Sequence, residues 1–550
     1  MRNHPPRNAH RSNVPGFARH RGVGLAGFLV VFGAQAAERP ESSPPSSESG
    51  EDTAAIPAES VKRVVYLPET VRAQLRDEIK EAVLKQAKDE GWAAPNEIPA
   101  WTKRFRLMAE ARLRWEMIFY DRRNANSVYF PDFNAINSGQ GWDALGIDPA
   151  TDRYINANQN RRRPRLKARL GAEVDIGQGF GVELLFATGD GSSPVSANQT
   201  LGGAPGDFAK LQLWVDRAAL TYQPFKDQSL GLALKGGRLA NPFFSTELIW
   251  WPDLSIDGLA LLAWLDKGPI SLFLTGGGFP YFITAVDSPA DQFKKLPSLD
   301  KWLVAAQLGT QVKPSEGFSF KVAAAYYYFD NIQGRLGNSC NTLLKGVTCD
   351  TDATRPLFAQ KGNTYMALRT PSVDALNAEA TGFASEYQYF GLAHLFRELA
   401  VTARIEVKAA PWLKVVLDAE AVWNLGFSKS RVGTSPVNNF GTCYDEENCP
   451  YAGGRSGYFA RLSIGSPKMD KQWSWNVGIT YRSVESDAVV DAFNDPDFGM
   501  GGTNLRGYSV TAGLALADGV IAQAKWFSAD SIIGPPYGVD VLQIDVMARY

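Results

Sequence analysis

The chain repeats one pattern through most of its length: apolar and polar residues alternate with a period of two. Its last segment, VDVLQIDVMARY, places Leu542 and Ile544 on one side of a strand and Gln543 and Asp545 on the other. The segment RFRLMAEARLRWEMIFY, residues 104–120, shows the same alternation. The pattern predicts strands with one apolar and one polar face. The apolar face contacts a protein core in a soluble sandwich, or lipid in an outer-membrane barrel.

The connections between these segments decide between the two folds. Eight longer connections alternate with seven short turns without exception. Outer-membrane barrels have short periplasmic turns and long outer loops, whereas a sandwich has no reason to collect every long loop at one end. The sequence therefore predicts an all-β fold, a transmembrane antiparallel β-barrel of about 16 strands over residues 101–550. The longer connections are residues 120–163, 189–210, 239–255, 279–300, 330–396, 426–455, 485–506 and 530–538.

The sequence ends with Tyr550, inside the last predicted strand. In a barrel this strand pairs with the first one, because unpaired backbone groups cost several kcal/mol each in hydrocarbon. An even number of strands brings both barrel ends to the periplasmic side, where a terminal aromatic lies at the membrane interface. A closing aromatic of this kind also resembles the signal that the outer-membrane assembly machinery reads.

Three segments precede the predicted barrel. Residues 1–36 combine five arginines, the apolar stretch GVGLAGFLVVFG and an Ala-Gln-Ala sequence, which predict a cleaved signal peptide and an exported protein. Residues 37–60 are rich in Pro, Ser and Glu and predict a disordered linker. Residues 61–100 predict a periplasmic segment with a short α-helix, since apolar residues recur at helical spacing over residues 68–90.

Charge and histidine content weigh against several functions. Without residues 1–36 the chain has 52 basic and 58 acidic residues, so nucleic acid is not an expected partner. Three of the four histidines lie in residues 1–36, and His394 is expected to be solvated in the longest loop. We therefore expect no enzyme activity, no metal site and no cofactor. The acid-rich segment 491–504 lacks the spacing of a calcium-binding loop and is expected to form a turn.

The four cysteines lie in two local pairs within loop-like sequence, Cys340 with Cys349 and Cys443 with Cys449. Four cysteines allow three pairings. Export to an oxidising compartment and short loop closure favour two local disulfides.

Charged residues of several predicted strands share the face opposite to the apolar one. If that face lines a lumen, the basic residues of the first two strands form a ladder along one wall, which biases a pore toward anions. Acidic residues on the same face weaken this bias. The alternative is that the charges pair across the wall and only hold the lumen open. The predicted pore-lining residues are Arg106, Glu110, Arg112, Arg114, Arg163, Arg165, Lys167, Arg169, Glu173, Asp418 and Glu420.

A pore of this kind needs a constriction, and the third long loop is the first candidate for it. The segment LANPFFSTELIWWPDLS is compact and carries Phe243, Phe244, Trp250 and Trp251, which are unfavourable in water. The loop at 330–396, with its predicted disulfide, is the competing candidate for a plug or lid.

Six segments of the chain resemble signature segments of the Gram-negative "putative porin" family of outer-membrane β-barrels. They are VVYLPETVRAQLRDEIKEAVLKQAKDEGWAAPNEIPAW, ATGDGSSPVSANQTLGG, DRAALTYQP, GGRLANPFFSTELIWWPDL, GGTNLRGYSV and VDVLQIDVMARY. The resemblance runs from about residue 61 to residue 550. It implies a diffusion pore in the outer membrane, with a homotrimer as a possible assembly, and it offers no catalytic residues to transfer.

The sequence thus predicts an outer-membrane porin that passes small hydrophilic solutes by passive diffusion. Its expected partners are outer-membrane lipid and those solutes, and the basic ladder adds an expected preference for anions. Two alternatives stay open. One is a substrate-specific channel for an anionic sugar or carboxylate, and the other is a secreted soluble β-protein that binds carbohydrate.

Overall fold

The structure is a computed structural model that describes most of the predicted barrel. The chain divides into two units, Met1–Ala93 and Ala94–Tyr550, which are treated separately. The predicted signal peptide, the linker and the Cys340–Cys349 pair lie outside the described residues. The described residues are 78–79, 81–83, 102–139, 141–143, 153–225, 229–284, 298–337, 352–369, 387–432, 435–446 and 448–550.

The described residues of the first unit are helical, as the apolar spacing predicts. They are residues 78–79 and 81–83, inside the expected helix. Ile79 and Val83, one turn apart, are both more than half exposed. No helix in the described part of the chain is long and apolar enough to span a membrane.

The second unit is built from long strands in the predicted positions. The sixteen long strands among the described residues are numbered here in chain order. They are β1 (Phe105–Tyr120), β2 (Arg161–Gly177), β3 (Phe180–Thr188), β4 (Leu213–Phe225), β5 (Leu230–Ala240), β6 (Ser255–Lys267), β7 (Ile270–Phe282), β8 (Lys301–Ser315), β9 (Phe318–Phe329), β10 (Arg397–Ala410), β11 (Leu413–Asn424), β12 (Ser456–Gly465), β13 (Trp475–Val484), β14 (Leu505–Ala517), β15 (Val520–Ser531) and β16 (Gly538–Arg549).

Each long strand pairs with its neighbours in the chain, and the last strand pairs with the first. All these pairs are antiparallel. In the closing pair, Val539 lies opposite Tyr120 and Arg549 lies opposite Glu110. The backbone of Tyr550 continues the pairing through two hydrogen bonds with Ala109, of 2.9 and 3.1 Å. The sheet is therefore a closed barrel, which confirms the predicted fold.

The barrel has an apolar outer face and a polar inner face. On β1 and β2, Leu113 and Leu170 point outward and are 57% and 63% exposed. The alternating residues Arg114 and Lys167 point inward and are only 6% and 4% exposed. Apolar side chains exposed around a whole barrel are stable only against hydrocarbon, so this surface is the membrane-spanning belt.

The short turns collect at one end of the barrel, together with exposed aromatic rings. Trp412 and Trp473 lie in two of these turns, and Tyr550 lies at the same end; their exposures are 63%, 66% and 88%. Gly268 and Gly519 give two of the turns the positive φ values that they need, 60° and 74°. Aromatic residues at a barrel rim are typical of the membrane interface.

The long connections lie at the opposite end, and several of them pack inside it. Loop 1 (residues 121–160), loop 3 (241–254), loop 5 (330–396) and loop 7 (485–504) contribute to one apolar core. This core rests on inward-facing strand residues such as Phe279. The loop residues in it include Phe133, Ile136, Leu248, Ile249, Trp250, Tyr365, Leu392, Val489, Val490 and Phe498. Long loops of polar appearance thus hide a packed interior that strand periodicity does not reveal.

Replacing Leu113 by arginine tests the assignment of the outer face. Leu113 lies near the middle of β1, so the substitution places a charge in hydrocarbon and should cost about 2–4 kcal/mol of unfolding free energy. The measurement is denaturant unfolding in lipid vesicles, read from heat-modifiable gel migration. The control is Gln523→Arg on the inner face of β15, which should change stability little. Equal losses for both variants would contradict the assignment.

Candidate functional site

The basic residues of β1 and β2 form one patch on the inside of the barrel, called here the basic wall. The register places Arg114 opposite Arg165 and Arg112 opposite Lys167. Like charges directly opposite each other on a sheet repel. The patch is therefore stable only with acidic partners close by. The basic wall consists of Arg112, Arg114, Arg163, Arg165, Lys167 and Arg169.

Arg114 connects the last strand and loop 7 to this wall. Its Nε and Nη2 donate to the carboxylate of Asp545 on β16 at 2.8 and 2.9 Å, and its Nη1 donates to Asp497 Oδ2 at 2.8 Å. All three side chains are almost completely buried. Burial alone would raise the pKa of Asp497, but the charges of Arg114 and Arg165 outweigh it and hold that pKa below its ordinary value.

Glu116 compensates the charge of the basic wall at its end toward the long loops. It accepts from Arg163 Nε at 2.5 Å, from Arg165 Nη1 at 3.4 Å and from Gln543 Nε2 at 3.0 Å. The Glu116 side chain is only 2% exposed. One carboxylate thus holds two arginines and the adjoining strand β16 in place.

Asp253, at the end of loop 3, compensates the next part of the wall. Its Oδ1 lies 2.9 Å from Lys167 Nζ and 3.0 Å from Arg169 Nη1. Lys167 also contacts Glu110 at 3.0 Å, and Arg169 contacts Asp216 at 3.1 Å. Burial would raise the pKa of Asp253, but Lys167 and Arg169 lower it further than burial raises it.

The acids in contact with the basic wall equal its cations in number. Arg112 is the last cation of the wall to be described. It lies 3.9 Å from the carboxylate of Asp545 and donates a hydrogen bond of 2.5 Å to Asn198 Oδ1. The predicted ladder is therefore present as a row of side chains but is compensated in charge. This geometry corresponds to the alternative in which the charges pair and hold the lumen open. Among the described residues the acids are Glu110, Glu116, Asp216, Asp253, Asp497 and Asp545.

The remaining predicted charged residues lie away from the basic wall. Arg106 pairs with Glu173 at 3.3 Å at the exposed rim on the turn side. Asp418 lies on the far side of the barrel, where it accepts from Arg404 at 2.6 Å and pairs with Arg461 at 3.1 Å. The predicted set is thus divided between two walls and a rim.

Loop 3 crosses the barrel interior between these walls. It leaves β5, reaches strands of the opposite side and returns to β2 before it enters β6. Each contact is a hydrogen bond or ion pair of 3.0 Å or less, so the whole course of the loop is fixed. In chain order the contacts are Phe244 with Gln307 of β8, Thr246 with Glu420 of β11, Glu247 with Arg461 of β12, and Asp253 with Lys167 and Arg169 of β2.

The aromatic residues of loop 3 pack on the inner wall. Phe243 and Trp250 are buried and meet Tyr327 of β9 in edge contacts, with ring centroids 5.3 and 5.4 Å apart. Phe244 and Trp251 are partly buried. These rings stabilise the inward position of the loop because they remove apolar area from water.

Comparison with known proteins gives the family of the chain. A family described as putative porin matches residues 30–550. The chain belongs to this family. It is an outer-membrane porin, and this confirms the resemblance seen in the sequence and the predicted location. Family and fold are those of a channel, and a secreted soluble carbohydrate-binding protein does not fit either.

Solved porin structures show similarity over most of the chain. The high-pH structure of Pseudomonas putida OprB has 12% identity and a TM-score of 0.40, and covers 82% of this chain and 95% of that one. The outer-membrane channel DcaP of Acinetobacter baumannii has 8% identity and a TM-score of 0.36, and the match covers 81% of this chain and 97% of that one. Salmonella typhi OmpF in complex with daunomycin has 9% identity and a TM-score of 0.36, and the match covers 81% of this chain and 97% of that one. No curated protein matches.

His394 of the porin lies in a different environment from the expected one. The prediction of a solvated side chain is wrong, because the residue is only 2% exposed. Its Nε2 lies 2.7 Å from the Tyr451 hydroxyl, which donates to Asp487 at 3.0 Å. Burial lowers the pKa of His394, and the carboxylate of Asp487 opposes the shift. The network joins loops 5 and 7 to the loop that carries Tyr451.

The acids of segment 491–504 have separate partners. Asp495 pairs with Arg482 at 3.0 Å, and Asp497 pairs with Arg114. Asp491 accepts from the Tyr365 hydroxyl at 3.3 Å, and burial raises its pKa to about 7. The carboxylates hold the segment against three parts of the molecule, which agrees with the predicted turn.

The Cys443–Cys449 disulfide forms as predicted, with an S–S distance of 2.16 Å. It closes a short loop between β11 and β12. The competing plug candidate, loop 5, has its described parts in the apolar core of the loop end.

Sequence reasoning missed the loop acids Glu247, Asp253 and Asp497, although each contacts a basic residue of the inner wall. No periodicity marks a loop residue as facing inward. Asp545 was identifiable, since it lies on the polar side of the last strand.

Arg114→Met tests the role of the paired charges in the porin. The substitution leaves Asp497 and Asp545 buried without their main cation, and it should cost about 3–5 kcal/mol of unfolding free energy. The matched control is Arg106→Met on the same strand, whose exposed pair should contribute about 0–1 kcal/mol. Denaturant unfolding in vesicles measures both. Similar small effects for the two variants would contradict a structural role of the wall.

Proposed function

We propose that the porin passes small hydrophilic solutes by passive diffusion along a path narrowed by loop 3, with a mild preference for anions. The observation that carries this proposal is the course of loop 3 from β5 across to β12 and back to β2. A segment tied to opposite walls reduces the cross-section that solutes use. The aromatic residues Phe243, Phe244, Trp250 and Trp251 act in this proposal as its packing anchors.

Two cavities next to loop 3 support a path on the side of β6 to β9. One has a volume of about 450 Å³ and lies toward the loop end, with Trp250 in its wall. The other has a volume of about 410 Å³ and is lined by Phe243, Phe244 and Lys321. Loop 3 contributes to both, so it is the natural place for the constriction.

The preference for anions is assigned to Lys321 rather than to the basic wall. Lys321 lies on β9 directly opposite Arg404 of β10, and Asp418 compensates the charge of Arg404 at 2.6 Å. Lys321 Nζ lies 4.3 and 4.6 Å from the ring centroids of Phe244 and Phe273, and no carboxylate of the described residues lies within 4.0 Å of it. A partly exposed cation without an acidic partner attracts anions, whereas a compensated one does not.

Two inward-facing acids do not offset this charge, because loops cover them. Glu398 is fully buried and accepts from the backbone N–H of Val490 in loop 7 at 3.2 Å. Glu420 is 3% exposed and accepts from Thr246 and Thr402. Solutes in water would therefore meet more positive than negative charge on this side.

A homotrimer and the recognition of Tyr550 by the assembly machinery stay predictions. The exposure of the Tyr550 side chain, 88%, supports the second of them.

Lys321→Gln tests the assignment of selectivity. A unit charge contributes about 1 kcal/mol at 4 Å even in water, so its removal should lower the chloride-to-potassium permeability ratio about twofold or more. Reversal potentials in a KCl gradient across a planar bilayer measure this ratio. Lys471→Gln, in the exposed turn between β12 and β13, is the control and should leave the ratio unchanged. A cation-selective parent porin would refute the assignment.

Replacement of residues 243–251 by a flexible Gly-Ser segment of equal length tests the constriction. Loss of the anchors should release the loop and raise the single-channel conductance. The control is the same replacement at residues 201–209, a mostly exposed part of another long connection. It should leave the conductance unchanged. An unaltered conductance after replacement of 243–251, in a folded barrel, would place the constriction elsewhere.

A further inference from the structure

We propose that the cavity of about 450 Å³ beside Trp250 binds aromatic carboxylates. Lys301 would be the partner of the carboxylate, and a cluster of aromatic side chains would be the platform for the ring. This inference rests on the proposed function, because it names a class of solute for the diffusion path beside loop 3. Among the alternatives considered from the sequence, it corresponds to a channel with a preferred carboxylate.

The wall of this cavity is rich in flat rings from four parts of the fold. Phe329 of β9 and Phe493 of loop 7 are nearly parallel, with centroids 6.2 Å apart and an angle of 9° between the planes. Trp250 of loop 3 lies 5.8 Å from Phe493, and Tyr281 of β7 lies 6.1 Å from Phe329. A cavity of about 450 Å³ with such walls fits a planar apolar group of one or two rings.

Lys301 supplies a cation in the same wall. It is the first residue of β8 and only 4% exposed. Its Nζ donates to the backbone oxygens of Thr354 and Arg355 at 3.0 and 2.9 Å and lies 5.5 Å from the Phe282 ring centroid. An ammonium group has three donors, so one is left without an acceptor within the described part of the chain.

The environment of Lys301 differs from that of the other buried cations. Lys167 and Arg114 are buried to a similar extent, and each contacts two carboxylates. No carboxylate of the described residues lies within 4.0 Å of Lys301 Nζ. A buried charge without a counter-charge is unfavourable. A carboxylate in the cavity would supply that charge and accept from the remaining N–H.

The other charged groups of the cavity already have partners. Arg238 pairs with Asp257 at 3.0 Å, and the Asp491 carboxyl accepts from the Tyr365 hydroxyl. Recognition of a sugar needs several polar groups that converge on its hydroxyls. The combination of rings and one uncompensated ammonium fits an aryl carboxylate better than a sugar.

Calorimetric titration of the purified mature protein in a non-ionic detergent tests the proposal. The probe is 2-naphthoate, and its neutral counterpart of the same shape is 2-naphthamide. We expect saturable binding of the acid, with binding of the amide about tenfold weaker or more, since the amide lacks the charge-assisted hydrogen bond. Equal binding of acid and amide, or no saturable binding of the acid, would overturn the proposal.

Two variants locate the site. Lys301→Met should weaken naphthoate binding about tenfold or more. Lys313→Met is the control, because Lys313 lies on the same strand near its opposite end and is exposed; it should leave binding unchanged. Unaltered binding to Lys301→Met would overturn the assignment. Heat-modifiable gel migration shows whether Lys301→Met is folded. If it is not, the comparison of the acid with the amide on the parent protein decides whether the proposal holds.

Conductance on the same preparations separates this inference from the proposed function. A pore that conducts KCl with the expected selectivity but does not bind naphthoate refutes the binding site alone. Saturable naphthoate binding at Lys301 in a barrel that does not conduct refutes the diffusion function and leaves the site standing.

Discussion

Every backbone polar group of a membrane-spanning strand needs a partner within the protein, because hydrocarbon offers none. The pairing of β16 with β1, continued by the Tyr550 backbone, satisfies this condition for the two strands that would otherwise have open edges. Closure fixes the two faces of each strand. One face meets lipid, and the other is confined with the opposite walls in a single interior. The rest of the molecule follows from this confinement.

Confinement explains why the inward charges pair so completely on β1 and β2. Cations at neighbouring positions of an interior cannot separate, so acids have to come to them from other strands and from loops. Asp497 and Asp253 do so from loops 7 and 3. The same ion pairs therefore neutralise the basic wall and hold two loops inside the barrel. Apolar packing around Trp250 and Phe498 adds to this, and the loop end becomes a folded core within a membrane protein.

The two sides of the interior consequently have different roles. On β1 and β2 the charges are buried, compensated and tied to loops, and they are mainly structural. On β7 to β9 the structure has cavities, aromatic rings and the ammonium groups of Lys301 and Lys321. Uncompensated charge beside open space is what a passing solute can detect. The discrimination between solutes is therefore assigned to the second side, where the sequence pattern shows only a few scattered lysines.

The sequence by itself determined the barrel, its approximate strand number, the side of each strand that meets lipid and the end at which the long loops lie. It could do so because alternation and turn length are local properties, and closure in lipid allows few other outcomes. It also placed Arg114, Lys167 and Asp418 on the inner face. Only the tertiary structure decided which charges remain uncompensated, because the partners Asp253 and Asp497 lie 86 and 383 residues away from the cations that they contact. The buried position of His394 has the same origin: loop packing depends on residues far apart in the chain, and no local period records it.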